Sequence, residues 1–113
     1  MTRYILSEDA DRDLDDIWDY IAEDNIDAAD QWVGRLFEAF DAIGNQPGIG
    51  HKREDLTAYP VLFWPVGTYI VIYRATSRPV EIVAVTHGAR TRYSRFSARP
   101  LFPVISWKSN EVD

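Results

Sequence analysis

Apolar and polar positions follow two rhythms along this chain, helical in the first half and strand-like in the second. Ala10, Leu14, Ile17, Trp18 and Ile21 recur at intervals of three and four, while Asp11, Asp15, Asp16 and Asp19 occupy the remaining surface. That is the pattern of an amphipathic helix with one buried stripe. Ser7 offers an oxygen to cap the first turn, and Glu8, Asp9 and Asp11 put negative charge where the helix dipole favours it. The helix is predicted to run from there to near Asn25. A second helix is predicted from about Asp27, whose side chain can cap it, with Ala28, Ala29, Trp32, Val33, Leu36, Phe37, Phe40 and Ile43 on one broad face. Gly44, Asn45 and Pro47 stop it. So short a connection implies an antiparallel helical hairpin. Gly34 inside the second helix is less favourable than alanine by about 1 kcal/mol, and a close backbone contact is expected to compensate.

Beyond Pro47 the pattern changes. Pro47-Gly48-Ile49-Gly50 marks a loop and His51-Lys52-Arg53-Glu54-Asp55 an exposed charged segment. Three strand-like runs follow: Val61 to Val66, continuous and apolar; Tyr69 to Ala75, β-branched and aromatic; and Val80 to His87, alternating Glu81, Val83 and Val85 against Ile82, Ala84 and Thr86. Gly67 and Ser77-Arg78-Pro79 supply the turns. Short turns imply antiparallel pairing, and the short run Tyr4-Ile5-Leu6 can add at one edge. The predicted fold is α+β: an N-terminal strand and an antiparallel helical hairpin packed on a small antiparallel sheet. Residues 1–93 form the single domain; 94–113 form a basic and apolar tail in which Pro100 and Pro103 break any regular element. Leu101, Phe102, Val104, Ile105 and Trp107 make that tail too apolar for a simple solvated end.

Charge adds an asymmetry. Residues 1–46 hold 13 Asp and Glu against three Arg, whereas residues 47–113 hold nine Lys and Arg against five acids. The acidic half argues against non-specific DNA binding but leaves room for a local basic face. Arg90, Arg92, Arg95 and Arg99 form the clearest basic cluster, interleaved with Tyr93 and Phe96. It suits phosphate or an acidic protein surface, or simply makes a solvated edge. The absence of cysteine removes disulfides, thiolate chemistry and cysteine-based zinc sites. The first residues lack the apolar core of a secretion signal, and Val61 to Val66, the longest apolar run, is far short of a membrane span. A cytoplasmic protein without membrane contact is expected.

Candidate chemistry is sparse. His51 and His87 are far apart and have no carboxylate pattern beside them, so no metal site and no cofactor are expected. His51 belongs to a polar connection. His87 either acts as a base or closes a strand end. Arg74, at the end of an apolar strand, either reaches a partner or pairs with an acid of the helical half. Trp18 and Trp32 read as core residues of the hairpin. No phosphate loop, nucleophile elbow or paired-histidine motif is present.

The order of the pieces is itself informative. A short strand, then Ala10-x-x-Asp13-Leu14-x-x-Ile17-Trp18-x-Tyr20-Ile21, a Pro47-x-x-Gly50 break, Gly67-x-Tyr69-x-Val71-x-Tyr73-Arg74 and Ile82-x-x-Val85-x-His87-x-x-Arg90 together resemble the RelE/ParE toxin superfamily over about residues 3–93. The resemblance implies the toxin of a type II toxin–antitoxin pair, held in a hetero-oligomer by its cognate antitoxin. RelE-like members cut mRNA on the ribosome; ParE-like members bind DNA gyrase. Metal-free RNA cleavage needs a base, an acid and cations around the phosphate, and the strands here carry almost none. The resemblance therefore points to the ParE-like branch and a non-enzymatic gyrase inhibitor. It implies target contacts at Arg74, Arg90, Arg92, Tyr93, Arg95 and Arg99, and antitoxin contacts at Trp18, Phe63, Trp64, Phe102 and Trp107. The alternatives are an endoribonuclease using Arg74, His87 and Tyr93, and a toxin fold that has lost toxicity.

Overall fold

A computed structural model describes residues 3–53, 55, 57–76 and 78–88. The chain runs β1 (Tyr4–Leu6), α1 (Glu8–Ala22), α2 (Ile26–Asn45), a 3-10 turn (Pro47–Ile49), β2 (Leu62–Val66), β3 (Tyr69–Arg74) and β4 (Val80–His87). The strands form one sheet in the order β1-β4-β3-β2. β2, β3 and β4 make the expected antiparallel meander. β1 adds to β4 in parallel, so the sheet is mixed rather than wholly antiparallel. The whole helical hairpin lies between β1 and the meander, and such a long crossover permits parallel pairing.

Both helices pack on one face of the sheet. Leu14 and Ile17 of α1 and Leu36, Phe40 and Ile43 of α2 meet Val71, Tyr73, Val80, Ile82 and Val85 in the main core. Burying each large side chain contributes about 1.5–3 kcal/mol, which is what fixes the face each helix turns inward. The helix boundaries differ from the sequence reading at the hairpin turn. α1 stops at Ala22, and α2 is capped by Asn25, whose side-chain oxygen accepts from Ala28 N–H at 3.0 Å, rather than by Asp27. Asn25 sits three residues before that N–H in extended backbone, the geometry a cap requires.

The close approach expected at Gly34 is absent: a Cβ there would meet nothing within 4 Å. It occurs instead at Gly44, where a Cβ would lie 2.7 Å from Arg3 Cβ and 3.2 Å from the Arg3 carbonyl, so the end of α2 rests on the chain entering β1. Gly34→Ala is accordingly expected to stabilise the fold by about 0.5–1 kcal/mol. A rise in the urea midpoint at unchanged slope checks it.

β4 also departs from strict alternation. The register with β3 shifts between Ile72 and Tyr73, which face Ala84 and Ile82, leaving Val83 as the extra residue of a bulge. Val80, Ile82 and Val85 consequently face the helices, while Val83 and Ala84 both face the opposite side with Val61, Phe63 and Ile72. On the helix side, Tyr73 ties down the Pro47-to-Gly50 break. Its hydroxyl donates to the Pro47 carbonyl at 2.6 Å and accepts from Gly50 N–H at 2.8 Å, and burial pushes its pKa up.

Candidate docking groove

The groove begins where β1 stops. β1 pairs with β4 only at Val80–Ile82, so beyond Ile82 that edge of β4 would present bare backbone groups. The start of α1 closes it. Ser7 N–H donates to the Ile82 carbonyl at 3.0 Å, the Ser7 hydroxyl donates to the Val83 carbonyl at 2.7 Å, and Asp13 Oδ2 accepts from Val85 N–H at 2.9 Å. The Ser7 oxygen also accepts from Ala10 N–H at 3.0 Å, the cap expected for α1. One serine thus starts the helix and fastens it to the sheet.

Further along, the space between α1 and the sheet opens into a groove of about 780 Å³. Its wall is the α1 stripe Asp13, Asp16 and Tyr20, and its floor is Trp32, Tyr69 and His87. Tyr69 stacks edge-on against Trp32 at 5.3 Å and against His87 at 5.6 Å. Arg35, one turn further along α2, sets its guanidinium 4.2 Å from the Trp32 ring centre and holds the indole from its own helix. The β2–β3 turn makes room for it: Gly67 has φ +61°, and a Cβ there would lie 2.5 Å from Trp32 Cη2. With positive φ at the first turn residue only, the loop matches the two-residue type II′ hairpin that glycine favours.

Tyr20 is 70% exposed, which is unusual for an aromatic ring beside such a floor. The wall carries carboxylates and the floor π-faces. That combination suits a segment presenting apolar anchors with Lys or Arg, and it supplies no nucleophile with an adjacent base. Among the described residues no group of three or more His, Cys, Asp or Glu could hold a metal ion, and no helix is long and apolar enough to cross a membrane. A second, more open groove of about 740 Å³ lies between β1 and α2, lined in part by Ile5, Phe37 and Asp41.

The residues singled out from sequence are scattered. His87 reaches the groove floor. Arg74 does not lie on an open surface: it is buried on the sheet face away from the helices, and its Nη1 sits 3.3 Å from Glu81 Oε1. The acid it meets belongs to the neighbouring strand, not to the helical half. Arg74 faces Glu81 at one end of the β3–β4 ladder and His87 faces Tyr69 at the other, about 20 Å apart at strand spacing. Phe63 is buried as well, packed with Ile72, Val83 and Ala84. Trp64 is half-buried on the helix side, stacked with His51 at 6.3 Å. His51 is part of the sheet rather than of a loose loop, since its backbone pairs with Phe63.

Trp18 and Trp32 are half-buried rather than core. Trp18 Nε1 donates to Asp30 at 2.8 Å across the hairpin, and Trp32 serves the groove. Arg90, Arg92, Tyr93, Arg95, Arg99, Phe102 and Trp107 lie outside the described residues. Asp16, Tyr20, Thr68 and Tyr69 were missed as site residues. A signal existed for the wall, since positions 13, 16 and 20 form a second helical stripe beside the apolar one.

Comparison with known proteins fits this geometry. Residues 4–92 match the family model described as the ParE toxin of type II toxin–antitoxin systems. The chain belongs to the ParE toxin family. It is 35% identical over 88 residues to toxin ParE1 of Caulobacter vibrioides, covering 77% of this chain and 90% of that protein. It is 30% identical over 89 residues to toxin ParE1 of Mycobacterium tuberculosis, covering 76% and 89%. A solved structure titled as the chromosomal ParDE system from P. aeruginosa shares the fold, with a TM-score of 0.63 at 17% identity over 74% of this chain and 92% of that one. As a ParE-type toxin of a toxin–antitoxin system, the chain has an antitoxin as its partner. Four of the residues on which the resemblance was drawn meet at the groove: Asp13 and Tyr20 stand in its wall, Tyr69 and His87 in its floor.

Proposed function

We propose that this ParE-family toxin inhibits DNA gyrase by direct binding, without cutting nucleic acid, and that its antitoxin silences it by filling the groove between α1 and the sheet. The observation that carries the choice of binding over cleavage is the position of Arg74. A metal-free ribonuclease needs its base and its cation around one phosphate. Here Arg74 is buried against Glu81 and separated from His87 by the length of the ladder, on the opposite face of the sheet. The groove favours a protein ligand: an acidic wall and aromatic floor complement an amphipathic segment with basic residues. Target contact is assigned to the basic residues Arg90, Arg92, Arg95 and Arg99 with Tyr93, and such a target places the toxin in the cytoplasm.

Purified toxin added to gyrase and relaxed plasmid should abolish supercoiling, while mRNA in a translation extract stays intact. Cleaved message with gyrase unaffected would reverse the assignment.

A further inference from the structure

The two edges of the sheet, β2 and β1, are guarded differently. On β2 the backbone groups that point outward belong to Phe63 and Pro65, because alternate residues of a strand turn to opposite sides. Phe63 exchanges two hydrogen bonds of 2.8 Å with His51, and Pro65 has no N–H to offer. A strand arriving there finds one position occupied and the other without a donor. β1 carries no such guard. Its ladder to β4 uses the Arg3 carbonyl, which accepts from Val80 N–H at 3.2 Å, and Ser7 N–H, which donates to the Ile82 carbonyl at 3.0 Å. With Ile5 between them in register with Glu81, the alternate residues Tyr4 and Leu6 turn their N–H and C=O groups away from the sheet. No Pro, Lys or bulge interrupts this edge. Apolar side chains flank it on both faces. Tyr4 and Leu6 pack toward the helices, so Ile5, 47% exposed, turns to the outer face. On the helix side Tyr4 meets Phe40 at 5.4 Å, and Phe40 meets Phe37, itself 38% exposed, at 5.5 Å.

We propose that β1 is a self-association edge, at which two copies of this chain pair their β1 strands antiparallel about a two-fold axis through Ile5. Tyr4 of each copy then exchanges both backbone hydrogen bonds with Leu6 of the other, so three residues satisfy every outward group of both strands. The two four-stranded sheets become one continuous sheet, and Ile5 faces its own counterpart across the axis. Such an interface is isologous, as a two-fold requires.

Charge selects a second copy over a peptide of either sign. Residues 1–46 hold 13 acids against three Arg, yet the charged side chains lining the groove beside β1 are Arg3 and Asp41. A balanced patch does not repel its own copy and offers no net attraction to a basic or an acidic segment, unlike the acidic wall of the α1 groove. The two grooves have no lining residue in common, so the dimer leaves both of its α1 grooves open. An edge of three residues with its flanking side chains belongs among the small, transient interfaces below about 1,200 Å². Association is therefore expected at roughly 10–100 μM.

Sedimentation of the full-length chain should show its mass doubling between about 1 μM and about 1 mM. Ile5→Lys, which sets two like charges face to face on the axis, should keep the chain monomeric over that range with the far-ultraviolet circular dichroism unchanged. Ile5→Cys reads the register directly, because the native chain has no cysteine and a non-hydrogen-bonded antiparallel pair has the Cα separation a disulfide needs. Mild oxidation should link it into a dimer roughly tenfold faster or more than Glu23→Cys, an exposed position at the far end of α1. Neither antitoxin nor gyrase enters these readouts, so they stand or fall apart from the proposed partner site and target. Three outcomes overturn the proposal: a chain that stays monomeric throughout, an Ile5→Lys variant that dimerises as the parent does, or Ile5→Cys linking no faster than Glu23→Cys.

Discussion

Glu81→Ala is expected to destabilise the fold by about 3–5 kcal/mol, because it strips a buried guanidinium of the carboxylate beside it. Arg74 and Glu81 are each buried, on neighbouring strands and facing each other in register. A domain of this size has roughly 5–15 kcal/mol in all, so the single variant should sit near the edge of folding, seen as a large fall in the urea midpoint. The double variant Arg74→Met/Glu81→Leu removes both charges and keeps the volume, and should recover most of the loss. The pair also separates two roles for Arg74. If its function is structural, the double variant regains growth inhibition along with stability. A stable double variant without toxicity would show that Arg74 acts on the target.

Tyr20→Ala should leave stability within about 0.5 kcal/mol of the parent, since the ring is 70% exposed on the groove wall. Its effect should fall on the partner. Exposed aromatics that become buried on binding dominate interface energies, and truncating one typically loses 2 kcal/mol or more, roughly 30-fold in affinity. Titration of the variant with the cognate antitoxin measures this, and in cells carrying both proteins the variant toxin should escape neutralisation and arrest growth. Ile5→Ala, which removes a 47% exposed side chain from the other groove, is the comparison and should bind as the parent does. Equal losses in the two variants would move the antitoxin off the α1 groove, and no loss from Tyr20→Ala would exclude it.

The groove was only partly legible before the tertiary structure. Asp13, Tyr20, Tyr69 and His87 all belong to the motif that carries the resemblance, but nothing in their spacing says that they meet. Asp13 and Tyr20 are seven residues apart on one helix, while Tyr69 and His87 are opposite each other on two strands. Their convergence depends on α1 taking over the β4 edge where β1 ends, through Ser7 and Asp13. Arg74 illustrates the opposite failure. A cation ending an apolar strand reads as a contact residue, and only the strand register reveals the acid beside it.

The chain's own pattern determined the element order, the helical hairpin, the antiparallel meander and the inward face of each helix. These follow from apolar spacing and turn chemistry, which act over a few residues. The boundaries moved by a few positions because a cap is chosen by local backbone geometry, so Asn25 replaced Asp27. Tertiary structure alone decided the parallel addition of β1, the bulge at Val83 and the close approach at Gly44 rather than Gly34. Each depends on what lies across from a residue rather than beside it. Such pairings are set by long-range register and the shape of the packed core, which local periodicity does not encode.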